Sequence, residues 1–197
     1  MKKSLIIFLT LLLLPNIRTL AEEEIPAVSS EITKDMLILY PGLTNAVGKK
    51  KIQLVGLCSL DTGKAHDETQ KQKVVQLFNL SDQSDSAVLE ELLSGDDNAE
   101  IQPRLRTVFT ALGSKSVDWL LSRYANATPA TKGRVIDKLQ DLEFKEVYEF
   151  LATGLNDKTE VPNRKAKAIA PPGYIDERIC DHAFSKLVWK LKKSGAV

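Results

Sequence analysis

The chain has 197 residues, 27 of them Lys or Arg against 26 Asp or Glu, and is 43% hydrophobic, 27% charged and 6% aromatic. That balance excludes a disordered tail, a collagen-like fibre and a multi-span membrane protein. Ten Gly and eight Pro are few for a turn-rich all-β sandwich, and the wealth of Leu, Lys and Glu favours helices.

Met1-Lys2-Lys3-Ser4 is a short positive start, followed by an apolar run from Leu5 to Leu14 broken only by Thr10. Pro15 and Asn16 end the run, and Thr19 and Ala21 place small residues before Glu22. This is the three-part form of a secretory signal peptide with a cut between Ala21 and Glu22. The apolar run of ten residues is half the ~20 that a spanning helix needs, so no stable membrane anchor is expected after cleavage. The expected location is secreted or periplasmic. Loss of Lys2, Lys3 and Arg18 leaves 24 basic against 26 acidic residues, which lacks the basic excess of a nucleic-acid binder.

Residues 22–36 are polar and acidic and read as a flexible lead-in, and 37–66 as an N-terminal capping segment. Within the latter, residues 37–60 suit a helical hairpin with Thr44 as N-cap and Ile52, Val55 and Cys58 facing inward. The alternation at Ile52-Gln53-Leu54 also allows a short strand.

From residue 67 onward the useful signal is self-similarity. Leu105, Val108, Phe109 and Leu112 lie on one face of a helix, and Val135, Lys138, Leu139 and Leu142 take the same places 30 residues later, with Lys138 the one departure. Gly113-Ser114-Lys115 and Glu143-Phe144-Lys145 form the corners. Val117, Leu120, Leu121 and Tyr124 then mark a second helix, matched by Val147, Phe150, Leu151 and Gly154. Val74, Leu77, Phe78 and Leu80, followed by Val88, Leu89, Leu92 and Leu93, make a looser upstream copy. Cys180, Ala183, Phe184 and Leu187 begin a partial fourth. Thr128-Pro129 is an N-cap with Pro at the first helical position. Residues 156–174, with Pro162, Pro171 and Pro172, read as a long surface loop.

The run from Arg104 to Leu121 resembles a HEAT repeat: a first helix ending at Ala111-Leu112-Gly113, a polar Ser114-Lys115 corner, then Val117, Leu120 and Leu121 on a second helix. Arg134 to Leu151 is similar, and Val74 to Leu93 more loosely so. Asp118 and Arg123 have no counterparts at matching places in the other copies. The resemblance implies an all-α fold, a short α-solenoid of three to four stacked antiparallel hairpins, each burying its apolar face on the next. It also implies a scaffold for protein–protein interaction. Because some HEAT-like proteins act as pigment-attaching lyases or lyase subunits, it leaves an enzyme with a reactive cysteine, here Cys58, as the alternative.

The usual catalytic constellations are missing. Gly42 to Lys50 has five residues between its glycines where a phosphate loop needs four, and Lys50 stands where Ser or Thr must hold magnesium. No Gly-x-Ser-x-Gly, Cys-x-x-Cys or His-Glu-x-x-His spacing occurs. His66 falls in a polar connector, and His182 lies ~200° around its helix from Cys180, too far apart to share a metal. No catalytic, cofactor-binding or metal-binding residue is therefore assigned. The two cysteines, at opposite ends of a stack with layers ~8–10 Å apart, are expected to be free. A partner-binding row is expected at Trp119, Arg123, Glu90 and Glu149. Trp119 lies ~200° around its helix from Val117, off the core stripe, and could either fill the groove against an adjacent repeat or anchor a partner. Trp189, in a basic amphipathic C-terminal helix, is expected to cap the stack.

Overall fold

The computed structural model describes residues 31–95, 100–161 and 177–196. The expected signal peptide, its cut at Ala21 and Glu22, and most of the 156–174 loop lie outside the described residues. Among those described, the chain is all-helical: α1 (Lys34–Leu39), α2 (Gly48–Cys58), α3 (Glu68–Leu77), α4 (Gln83–Ser94), α5 (Gln102–Leu112), α6 (Ser114–Tyr124), α7 (Pro129–Leu139), α8 (Lys145–Gly154) and α9 (Ile179–Lys193). Short 3-10 turns at Pro41–Asn45 and Thr62–Lys64 join the first three, and one antiparallel bridge pairs Glu160 with Arg178 just before α9.

Local chemistry sets most of the helix starts. Thr33, Asp67, Asp82 and Thr128 each cap a helix by accepting from a backbone N–H inside the first turn. Such caps contribute about 1 kcal/mol apiece. Pro129 opens α7 at its first position and Pro103 sits in the first turn of α5, where neither removes a helical hydrogen bond. Gly113 alone joins α5 to α6. Its φ of +63° lies where a side chain would be strained, so the corner depends on glycine.

The helices share one apolar core, from Tyr40 to Ala183. Helix α3 packs on α5, α5 on α7 and α7 on α9, while α4, α6 and α8 pack on α5, α7 and α9 respectively. Leu105 and Val135, thirty positions apart, are both fully buried on the adjacent helices α5 and α7. The residue before the stripe is a cation in α3, α5 and α7: Lys73, Arg104 and Arg134. Lys73 Nζ donates to Ser59 Oγ at 2.6 Å and Arg104 Nε to the Cys58 carbonyl at 3.2 Å, both at the end of α2. Arg134 donates to the Leu93 and Ser94 carbonyls at 3.1 and 2.8 Å, at the end of α4. Each places positive charge where a helix exposes its unpaired carbonyls.

Several expectations are corrected. Residues 48–58 form the helix α2, so Ile52-Gln53-Leu54 is not a strand. Thr44 lies in a 3-10 turn, and α2 starts after Val47 with no side-chain cap. Val55 and Cys58 are buried, but Ile52 is 46% exposed and Gln53 takes the inward place. The reason is polar: Gln53 Nε2 donates to the Leu77 carbonyl at 2.9 Å and to Asp85 Oδ1 at 2.7 Å. The lead-in ends earlier than expected, since α1 begins at Lys34. Phe184, expected inside the last helix's stripe, is 59% exposed, because α9 turns Ile179, Ala183 and Lys190 inward.

Candidate functional site

Ser86 and Glu90 are one turn apart on α4, and Trp119 and Arg123 one turn apart on α6. The four meet where the two helices face each other. The Trp119 indole N–H donates to Ser86 Oγ at 2.7 Å, and Arg123 Nη2 donates to the same oxygen at 3.0 Å. The Arg123 guanidinium lies 4.6 Å from the indole centroid, and its Nε is 3.5 Å from Glu90 Oε2. On its other side Trp119 stacks on Phe109, centroids 5.5 Å apart. Trp119 is only 6% exposed. Of the two readings of Trp119, the one that packs it between neighbouring helices holds, and the exposed anchor is corrected. A buried indole needs a partner for its N–H, and Ser86 supplies it.

Of the expected row, the structure brings Trp119, Arg123 and Glu90 together and leaves Glu149 apart. Glu149 sits on α8 and pairs with Lys145 one turn away at 3.1 Å, both well exposed. Such a pair contributes little to stability.

Other helix junctions hold buried charge. Asp85, 2% exposed, accepts from Gln53 Nε2, from the Asn79 N–H at 2.9 Å and from Lys49 Nζ at 2.5 Å. Its neighbour Asp82 is held down at about 2 by the Ser84 hydroxyl and the Asp85 and Ser84 N–H groups. Lys190, fully buried, donates to the Leu142 carbonyl at 2.6 Å and lies 3.6 Å from Glu143 Oε2 and 5.0 Å from the Tyr148 ring centroid. Tyr124 donates to Asp157 Oδ2 at 3.2 Å. Burial first and that carboxylate second push its phenol well above the usual range.

Cys58 and Cys180 are both free, and Cys58 is buried. Burial pushes the Cys58 thiol up, with a smaller opposing pull from Arg104, so the nucleophilic thiolate is disfavoured there. His66 is exposed, and His182 Nε2 lies 3.0 Å from Glu177 Oε2. Among the described residues no group of three or more His, Cys, Asp or Glu could hold a metal ion, and no helix is long and apolar enough to cross a membrane.

Large exposed apolar residues lie at both ends of the described chain, with Ile38, Val47, Ile52 and Val75 around the first three helices and the others at the last two. Phe184 and Trp189 are 59% and 37% exposed on α9, and Leu155 is 39% exposed just after α8. A Cβ on Gly154 would stand 3.1 Å from the Ala183 methyl, so Leu155 and Phe184 leave the chain at the same close helix contact. Sequence periodicity hid Phe184 by placing it in the inward stripe. Comparison with protein-family models, with curated proteins and with solved structures finds no match to this chain.

Proposed function

We propose that the chain is an exported helical-repeat scaffold that binds a protein partner and performs no catalysis. In this reading the hairpins form a short HEAT-like α-solenoid, and its exposed side chains are held rigidly for recognition. The observation that carries it is the first-helix row: α3, α5, α7 and α9 pack in chain order, and the cation preceding the stripe in α3, α5 and α7 meets the end of an earlier helix. A repeated contact of that kind is what nearest-neighbour stacking requires.

With Trp119 indoors, Arg123 and Glu90 supply a polar rim and the apolar anchors move to Phe184 and Trp189. Aromatic residues in such positions are the usual source of binding energy at interfaces. The buried Cys58 thiol, with its raised pKa, favours this scaffold over the thiol-dependent lyase.

Affinity capture from the native extracytoplasmic fraction tests the reading. A stoichiometric protein partner that is retained by Trp119→Phe and lost by Phe184→Ser with Trp189→Ser, at unchanged melting temperature, supports it. Absence of any such partner, or rapid thiol labelling of native Cys58, counts against it. A native N-terminus read by mass spectrometry at Glu22 supports export, and one at Met1 removes it.

A further inference from the structure

Phe184 on α9 takes the same repeat place as Phe109 on α5 and Leu139 on α7. Those two side chains are fully buried, whereas Phe184 is open to solvent. On α5 the place is closed by the helix that comes next, since Phe109 stacks on Trp119 of α6. Among the described residues no helix follows α9.

The inward contacts of α9 fix its outward face. Ala183 meets Gly154 of α8, Lys186 reaches Asp137 and Gln140 of α7 at 2.9 Å, and Lys190 donates to the Leu142 carbonyl. At ~100° per residue those three cluster on one side, and Phe184, Val188 and Leu191 fall ~110–170° around from them. Val188 and Leu191 are half-buried, and with Phe184 they form an i, i+4, i+7 stripe. Trp189 lies ~140° from Phe184, with Lys193 over its ring at 5.1 Å, and belongs to a different face. Because α3 packs on α5, α5 on α7 and α7 on α9, the side of α9 away from α7 is where that row would continue.

The stripe has opposite charge at its two ends. Asp181 and Lys192, three turns apart and both exposed, lie on the same side as Phe184 and Val188. The first end carries two carboxylates, Glu177 beside His182 and Asp181 held by Arg178 at 3.0 Å. The second adds Lys192 next to Lys193. A face that runs from acid through apolar to base is its own complement under a twofold axis, provided the two helices run antiparallel. A parallel pair would set Lys192 against Lys192. We infer that the Phe184 face of α9 binds a second copy of this chain, the two α9 helices packing antiparallel about an axis beside Leu187. Phe184 of each copy then seats between Val188 and Leu191 of the other, and Lys192 of each faces the acidic end of the other. This rests on the reading of the chain as a protein-binding scaffold and names the occupant of one face. A single helix pair is a small interface, so the dimer is weak, with a Kd on the order of 10 µM.

Sedimentation velocity of the native protein from about 1 to about 100 µM should show monomer passing into dimer. Phe184→Ser should weaken the dimer at least about tenfold, and Lys192→Glu several-fold. Ile38→Ser, which removes an exposed apolar residue at the other end of the molecule, should leave it unchanged. Mixing Lys192→Glu with Asp181→Lys should restore a dimer of native strength, because both end contacts are then attractive. If Asp181→Lys frays the start of α9, which Asp181 caps, Glu177→Lys replaces it. A dimer left intact by Phe184→Ser or by Lys192→Glu overturns the proposal. A chain that stays monomeric yet captures a different protein overturns the dimer while the scaffold reading stands, and one that stays monomeric and captures nothing overturns both.

Discussion

Asp85 and Lys138 are almost equally buried, at 2% and 4% exposure, yet the protein treats them in opposite ways. The carboxylate of Asp85 on α4 accepts from Gln53 and Lys49 of α2 and from the Asn79 backbone in the turn between α3 and α4. The ammonium of Lys138 donates to none of the described residues, and of the charges that shift it Arg106, Arg134 and Lys186 share its sign while Asp137 opposes it. A buried charge that is fully served fixes the geometry of the helices around it, whereas one without a protein partner destabilises the fold. Stability therefore has opposite signs at the two places.

The largest expected effect is at Asp85. Asp85→Ala leaves the Asn79 N–H without its acceptor and removes the common partner of Gln53 and Lys49. It should lower unfolding free energy by about 3 kcal/mol in urea denaturation. A loss below about 1 kcal/mol would mean that water replaces the carboxylate freely and that the α2–α4 junction is looser than its hydrogen bonds imply.

Lys138→Met should move stability the other way. Methionine keeps the unbranched stem and drops the unserved charge, so the variant should gain about 1–2 kcal/mol. If instead it is destabilised as much as Asp85→Ala, Lys138 holds structural partners of its own and the contrast collapses. Trp119→Phe sharpens the picture at a third junction. It keeps an aromatic ring against Phe109 but removes the donor to Ser86, which still receives Arg123. A loss of about 1 kcal/mol is expected, with partner capture unaffected.

The sequence announces its helices through spacing and caps. The stripes at Leu105 and Val135, the Thr128-Pro129 start and the Gly113 corner all stand where the pattern puts them, because each depends on neighbours within a turn or two. The buried polar contacts are not legible in that way. Gln53 displaces Ile52 from the interior because Asp85, 32 residues on, needs a donor, and no local period encodes a need so distant. The angle of Trp119 on α6 leaves it either packed or exposed, and Ser86 across a helix junction decides for packed, with Arg123 over its ring. Phe184 looks inward by period and is exposed because α9 buries Lys190 instead. The Lys73, Arg104 and Arg134 contacts do have a local signal, since each is the cation just before an aligned stripe, but apolar spacing alone does not carry it.

The pH dependence of Lys138 gives the smallest and most specific effect. Its folded-state pKa is about 8, below the ordinary lysine value of 10.5. The unfolded chain therefore holds more protons between those values, and stability must rise with pH across that window. The cost of keeping Lys138 charged in the fold is present in full below about pH 8 and relieved as the amine deprotonates. The advantage of Lys138→Met over the native chain should accordingly shrink by about 1 kcal/mol between pH 7 and pH 9. Subtracting the two urea curves at each pH removes the other groups, all of which both chains share. An advantage that is flat between pH 7 and pH 9 would mean that the amine titrates like an exposed lysine and that its surroundings do not penalise charge.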